Sequence, residues 1–215
     1  MGYAEPARTA YCLEDLARDG LTLMESLGIE AFGVIGISMG GMTALELLRL
    51  APSKVKSLML FCSLGPGDRF LPPPHFSEEE IHRIYGDIDQ SGVEKMVEAS
   101  THADFMDEHP QRFREWVALR MKRLPDPVQM VFQAEAVSQY LKGRADLSAI
   151  RCPTLVLSGA DDVFVDPRNS SELAREIPCA RLKLFPHSSH LFFVEKPEEV
   201  ALEILSFMES LCVSP

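Results

Sequence analysis

The chain has 215 residues, a formal charge of -11 and an ordinary apolar share of 46%, enough for one substantial core with an inserted subdomain. The acidity argues against a nucleic-acid or anionic-membrane partner, because both require a basic footprint. Five scattered cysteines, Cys12, Cys62, Cys152, Cys179 and Cys212, contain no Cys-x-x-Cys pair, which suggests neither a disulfide framework nor a zinc site; small buried apolar residues in a reducing compartment are expected.

The N-terminus carries Glu5, Arg8, Glu14 and Asp15 early and lacks the basic-then-apolar layout of a secretion signal. Met1-Gly2 resembles a myristoylation start, but Pro6 stands where Ser or Thr is wanted. The longest uncharged run, Ala31 to Leu45, falls short of the ~20 apolar residues of a membrane span and is interrupted by glycines. A cytoplasmic location is expected.

Residues 1 to 11 read as loop. From Cys12 to Gly28, Leu13, Leu16, Leu23, Met24 and Leu27 recur at helical spacing, and Gly28 fits a C-terminal stop. Ala31 to Ile37 reads as a buried strand, and Met39 to Leu50 as a helix closed by Pro52. Between them lies Gly36-Ile37-Ser38-Met39-Gly40, a strand, a tight turn and a helix start. A serine in such a turn adopts a strained backbone, and the glycines two before and two after it are expected to remove colliding side chains. The helix that follows points N–H groups at the same place, so the amide of Met39 is a candidate oxyanion donor. Val55 to Cys62 gives a second strand. Strand, helix, strand at this spacing implies a right-handed parallel crossover and an α/β sheet covered on both faces.

The rhythm then changes. Residues 64–146 read as a helical lid inserted into an α/β core made of 1–63 and 147–215. Gly65, Pro66, Gly67 and Pro72-Pro73-Pro74 break the chain, and Ser77-Glu78-Glu79-Glu80 is a capping-box start. Phe113, Trp116, Val117, Arg120 and Met121 share one helical face; Val128, Val131, Phe132 and Glu135 share another. Met96, Met106, Met121 and Met130 read as core filling, with an apolar acyl pocket as the alternative.

The α/β pattern resumes at Cys152 to Gly159, a strand followed by the acidic turn Ala160-Asp161-Asp162. A helix from Pro167 to Ile177, a strand from Arg181 to Phe185 and the loop Pro186-His187-Ser188-Ser189-His190 come next. The last helix, Pro197 to Leu211, is expected to bury Val200, Ile204, Leu205, Met208 and Leu211.

An acid just past one strand and a histidine just past the next, both downstream of the serine turn, gather at the carboxyl ends of parallel strands, where open α/β sheets build their sites. A serine hydroxyl is a poor nucleophile at neutral pH; it needs an imidazole to take its proton, and the imidazole needs a carboxylate to fix its tautomer. Ser38, His190 and Asp162 fill those roles. Their rivals are Asp161, Asp166, which reads as a helix cap before Pro167, and His187, which reads as a loop donor.

These motifs together resemble the α/β-hydrolase fold superfamily, specifically lid-bearing serine hydrolases similar to esterases, enol-lactonases, carbon–carbon bond hydrolases and cofactor-free haloperoxidases. The matching stretches are Gly36-Ile37-Ser38-Met39-Gly40-Gly41, Pro153 to Asp162, His190-Leu191-Phe192-Phe193-Val194-Glu195-Lys196-Pro197, and the helix Leu13-Glu14-Asp15-Leu16-Ala17. Ser38, where epoxide hydrolases and haloalkane dehalogenases carry aspartate, argues against those branches. The resemblance implies no cofactor and no metal, and a small-molecule carbonyl substrate.

Members of the family usually carry further strands upstream and a His-Gly loop that donates the second oxyanion N–H. On this resemblance the chain starts after them, and the loss of one oxyanion donor costs ~10²–10³ in rate. The strand Ala31 to Ile37 then becomes an apolar open edge, which invites a homodimer. The expected function is cleavage of a small or medium carboxylic ester or lactone through an acyl-enzyme. The alternatives are a catalytically impaired binding protein that keeps the triad, and a carbon–carbon hydrolase or perhydrolase that uses the same residues.

Overall fold

The computed structural model describes residues 5–212; Met1-Gly2, and the myristoylation comparison with it, and the side chain of Cys212 lie outside the described residues. The N-terminal helix α1 (Leu13–Ser26) begins where the Asp15 carboxylate accepts the Cys12 N–H at 2.8 Å, and ends before Gly28, whose φ of 68° only glycine adopts without strain. Strand β1 (Phe32–Ile37), helix α2 (Met39–Leu50) and strand β2 (Val55–Phe61) then form a parallel unit. The connection from β2 to β3 (Thr154–Gly159) holds five helices: α3 (Glu78–Tyr85), α4 (Gln90–Ser100), α5 (Phe105–Glu108), α6 (Pro110–Met121) and α7 (Pro127–Leu141). Helix α8 (Arg168–Glu176), strand β4 (Ala180–Phe185), the short α9 (Phe192–Glu195) and α10 (Pro197–Cys212) complete the chain.

The four strands make one parallel sheet in the order β1-β2-β3-β4. Because side chains alternate along a strand, the central strands feed two cores. Leu58, Leu60 and Val156 point into a cluster with α1, α2 and α8, while Met59, Phe61, Leu155 and Leu157 point into a second with α9 and α10. In that second core Phe185 stacks on Phe192 at 5.3 Å. A third cluster, Val93, Val97, Phe105, Phe113 and Val117 in the insertion, also takes in Val194 of α9, so apolar packing joins the insertion to the sheet domain.

Several expectations are corrected. The strand read as buried is half exposed: Ile35 and Ile37 are 55% and 41% accessible. β1 is the outermost strand, and among the described residues its second ladder edge and the face bearing these isoleucines carry no covering element. Leu23 near the end of α1 and Leu27 at its C-cap are exposed, whereas Leu13 and Ala17 are buried near its start. On α7 the buried stripe is Gln129, Ala136 and Tyr140 instead of the Val128 face, since this helix docks on the first core; the Gln129 side chain bonds the main chain of Ala7 in both directions, at 3.1 and 2.8 Å. On α10, Phe207 takes the place expected for Leu205 and Met208, giving a regular stripe of Val200, Ile204, Phe207 and Leu211. Of the four described cysteines, all free, Cys62 is buried, Cys12 and Cys152 are partly exposed and Cys179 is exposed. Among the described residues no helix is long and apolar enough to cross a membrane.

Candidate active site

Ser38 stands at the joint between β1 and α2 with φ 54° and ψ -121°, a conformation that costs a non-glycine residue about 1–3 kcal/mol. Three hydrogen bonds hold it there. Its N–H donates to the Phe61 carbonyl at 2.8 Å, and its own carbonyl accepts the Gly41 N–H and the Ser63 hydroxyl, both at 2.9 Å. A Cβ on Gly36 would lie 2.5 Å from the Gly40 carbonyl oxygen and from the Gly41 Cα, so only glycine fits. The second glycine of the motif behaves otherwise than expected. Gly40 faces open space, and it is Gly41 whose Cβ would strike the Ser63 side chain. Met39 is the first residue of α2, which places its amide at the helix N-terminus.

Asp162 follows the end of β3 and is buried. One carboxylate oxygen accepts the N–H groups of Phe164 and Val165 at 2.8 and 2.9 Å; the other is 2.8 Å from Nδ1 of His190. With Oδ2 as acceptor, Nδ1 carries the proton and Nε2 is left as the basic nitrogen. The His190 loop is pressed against β3: a Cβ on Gly159 would collide with the carbonyls of Ser188 and Ser189. The rivals sit elsewhere. Asp161 is exposed and joins the same loop through its N–H, which donates to the Ser188 carbonyl at 3.0 Å. Asp166, expected as the cap, stands one residue before the Pro167 N-cap of α8, where it accepts the Arg168 N–H at 2.9 Å and pairs with the Arg168 guanidinium at 2.6 Å. His187, expected as a loop donor, is exposed with φ 50°, its ring edge-on to that of His102 at 5.7 Å.

A strained serine between a strand and a helix, with a carboxylate–histidine pair beyond two later strands of a parallel sheet, is the arrangement of one fold family. The sequence pattern of the family described as alpha/beta hydrolase fold matches residues 1–197. The chain belongs to this family. Among the similar α/β-hydrolase proteins is one from Mycobacterium tuberculosis provisionally named non-heme bromoperoxidase BpoC, 26% identical over 209 residues, covering 94% of this chain and 77% of that protein. A protein from a Caulobacter species, provisionally named carbamate hydrolase RutD, is 27% identical over 214 residues, 96% of this chain and 77% of its own. The solved thermophilic esterase from Thermogutta terrifontis superimposes with a TM-score of 0.79 at 24% identity, covering 98% of this chain and 77% of the esterase.

Three contacts of this α/β-hydrolase site were not readable in advance. Cys62, directly after β2, has φ 41° and donates its thiol to the His190 carbonyl at 3.5 Å. Burial, and then the Asp162 charge, push the thiol well above its ordinary range. Its sulfur, one Asp162 oxygen and one His190 ring nitrogen lie within 4.8 Å of one another, but a thiol held protonated is a poor metal ligand. The next residue, Ser63, clasps the Ser38 carbonyl. Position supplies the signal for both, since they follow the strand end beside the serine turn. Glu195 is the third. It is buried, one oxygen accepts the Ser189 N–H at 2.8 Å and the other the His102 N–H, while desolvation raises its carboxyl above the usual value.

Two cavities flank the site. A cavity of about 700 Å³ lies between the insertion and the sheet domain, with Met39, Phe70, Tyr85, Met130, Val137 and Leu141 in its wall. A smaller one of about 250 Å³ is lined by His190, Met96, Trp116 and Arg120. The methionines thus divide: Met96 and Met130 line cavities, Met121 packs into the third cluster, and Met106 is exposed.

Proposed function

We propose that this protein is a serine hydrolase that cleaves a small or medium carboxylic ester or lactone through an acyl-enzyme. The observation that carries the reading is the 2.8 Å contact between His190 Nδ1 and an Asp162 carboxylate that is itself anchored by two main-chain N–H groups. Such a carboxylate fixes the imidazole tautomer and stabilises the imidazolium that forms when the imidazole accepts a proton.

In this mechanism His190 Nε2 takes the Ser38 hydroxyl proton as Oγ attacks the carbonyl carbon. The resulting oxyanion is held by the Met39 N–H, at the positive end of α2. Collapse of the tetrahedral intermediate expels the alcohol, which takes the proton back from His190. Water, deprotonated by the same imidazole, then attacks the acyl-Ser38 ester and releases the acid. The helices between β2 and β3 act as the lid, and the cavity of about 700 Å³ beside Met39 receives the apolar part of the substrate; pockets of this size take small-molecule ligands. The relatives named as an esterase and a carbamate hydrolase support the same class of chemistry.

The test is intact-mass analysis after incubation with a fluorophosphonate, beside Ser38→Ala and His190→Ala. One adduct per chain, mapped to Ser38 and absent from both variants, is expected. A folded wild-type protein that forms no adduct would overturn the reading in favour of a binding protein that retains the residues without the activity.

A further inference from the structure

His102, Asp161 and His187 are far apart in sequence, yet one ring nitrogen from each histidine and one oxygen of Asp161 lie within 4.8 Å of one another. None of the three is used by the hydrolytic site. Their backbones are held in place. The Asp161 N–H donates to the Ser188 carbonyl at 3.0 Å, next to His187, and the His102 N–H donates to Glu195. The two imidazole rings meet edge-on at 5.7 Å.

The two nitrogens of His102 have different neighbours. Nε2 lies 4.0 Å from Asp161 Oδ2, on the side of the cluster. Nδ1 accepts the Asp104 N–H at 3.4 Å and lies 3.6 Å from the Asp104 carboxylate. A metal-bound histidine commonly donates its second ring N–H to a carboxylate, and Asp104 stands where that partner is needed. Binding an ion at Nε2 moves the proton to Nδ1, which gives up the Asp104 N–H and donates to Asp104 Oδ2 instead.

We propose that His102, Asp161 and His187 bind one divalent ion of the zinc, cobalt, nickel or copper class, clipping the helical insertion to the two loops that carry Asp162 and His190. Two imidazoles and one carboxylate suit those ions, whereas calcium and magnesium take sets made of oxygen. Ligand atoms at 2.0–2.1 Å from a tetrahedral ion are about 3.3 Å apart, so the cluster tightens by about an ångström. Asp161 and His187 are exposed and free to rotate that far. The adjoining surface cavity of about 270 Å³ adds Glu108, Glu198 and Glu199 against Arg112 and Lys196, a net acidic surround.

The test uses the full chain without a polyhistidine tag, stripped with chelator and titrated with Co²⁺ followed by visible absorption, with Zn²⁺ in competition. One site per chain is expected, with His102→Gln, His187→Asn and Asp161→Asn each weakening binding at least ~10-fold. Asparagine at 187 tolerates the left-handed backbone there, and circular dichroism checks each variant. His109→Gln, a neighbour in the same cavity, and His190→Gln bind as the wild type does. Zn²⁺ raises the melting temperature of the wild type and of His190→Gln, because an ion bound to the native state alone stabilises it, and leaves that of His102→Gln unchanged. The proposal is overturned by a wild-type chain that shows no saturable binding, by undiminished binding in both His102→Gln and His187→Asn, or by loss of binding in His190→Gln. These readouts are independent of hydrolysis, so a failed titration leaves the hydrolase reading intact.

Discussion

Replacing Asp162 with asparagine separates orientation from architecture. Asparagine keeps one carbonyl oxygen for the Phe164 and Val165 N–H groups, so the turn after β3 retains its anchors. The other side of the group changes from acceptor to donor. An NH₂ opposite His190 Nδ1 forces that nitrogen to accept and moves the ring proton to Nε2, so the base of the proposed mechanism takes no proton. A tautomer error of this kind lowers turnover by about 10⁴, or roughly 5 kcal/mol of transition-state stabilisation. Stability changes by less than about 1 kcal/mol, since a buried charge is removed while its anchors persist. The Cys62 thiol, which the Asp162 charge helps to raise, becomes easier to deprotonate, and alkylation against pH reports it. Hydrolysis of p-nitrophenyl butyrate and urea unfolding measure the rest. A loss of turnover below tenfold with unchanged unfolding would refute the assignment of Asp162, and collapse of the fold would show that the carboxylate is structural.

The two glycines after the serine should respond in opposite directions. Gly40→Ala adds a methyl to open space in a helix and stabilises by about 0.5–1 kcal/mol, while Gly41→Ala drives a methyl into Ser63 and costs about 1–3 kcal/mol, both read by urea unfolding. Burial raises the Glu195 carboxyl above its ordinary 4.5, so in the window upward from 4.5 the native chain holds more protons than the unfolded one. This group's contribution is therefore complete below 4.5 and is lost as pH rises through the folded value. The stability difference between wild type and Glu195→Gln should fall over that window, and a rise would show that the two N–H donors outweigh burial. Finally, the open edge of β1, with Ile35 and Ile37 exposed, predicts self-association. Ile35→Lys should shift sedimentation toward monomer, whereas identical profiles would rule out pairing through this edge.

The parts of the fold legible in the sequence were those governed by local chemistry. Gly36 to Gly41 marks strand, turn and helix by backbone sterics alone, and α2 spans Met39–Leu50, as its pattern and Pro52 predict. Ser77 to Glu80 caps α3 through side chains three residues apart. What escaped depends on contacts between distant segments. Whether Gly40 or Gly41 is crowded is decided by Ser63, twenty-two residues beyond the second of them. The choice of His190 over His187, by contrast, was legible in the sequence, and it is the His190 ring that lies 2.8 Å from Asp162. Four-residue helices such as α5 and α9 are too short to carry a period.

Glu195 ties two parts of the molecule that protein engineers would treat as separable. Its carboxylate receives one N–H from the insertion, at His102, and one from the histidine loop, at Ser189. A foreign insertion must present a main-chain N–H where His102 does, because without it half of this buried acid is left unsatisfied. If the larger cavity receives the substrate as proposed, its range is better altered around Tyr85, Met130 and Val137, which line that cavity, with no graft boundary at residue 102.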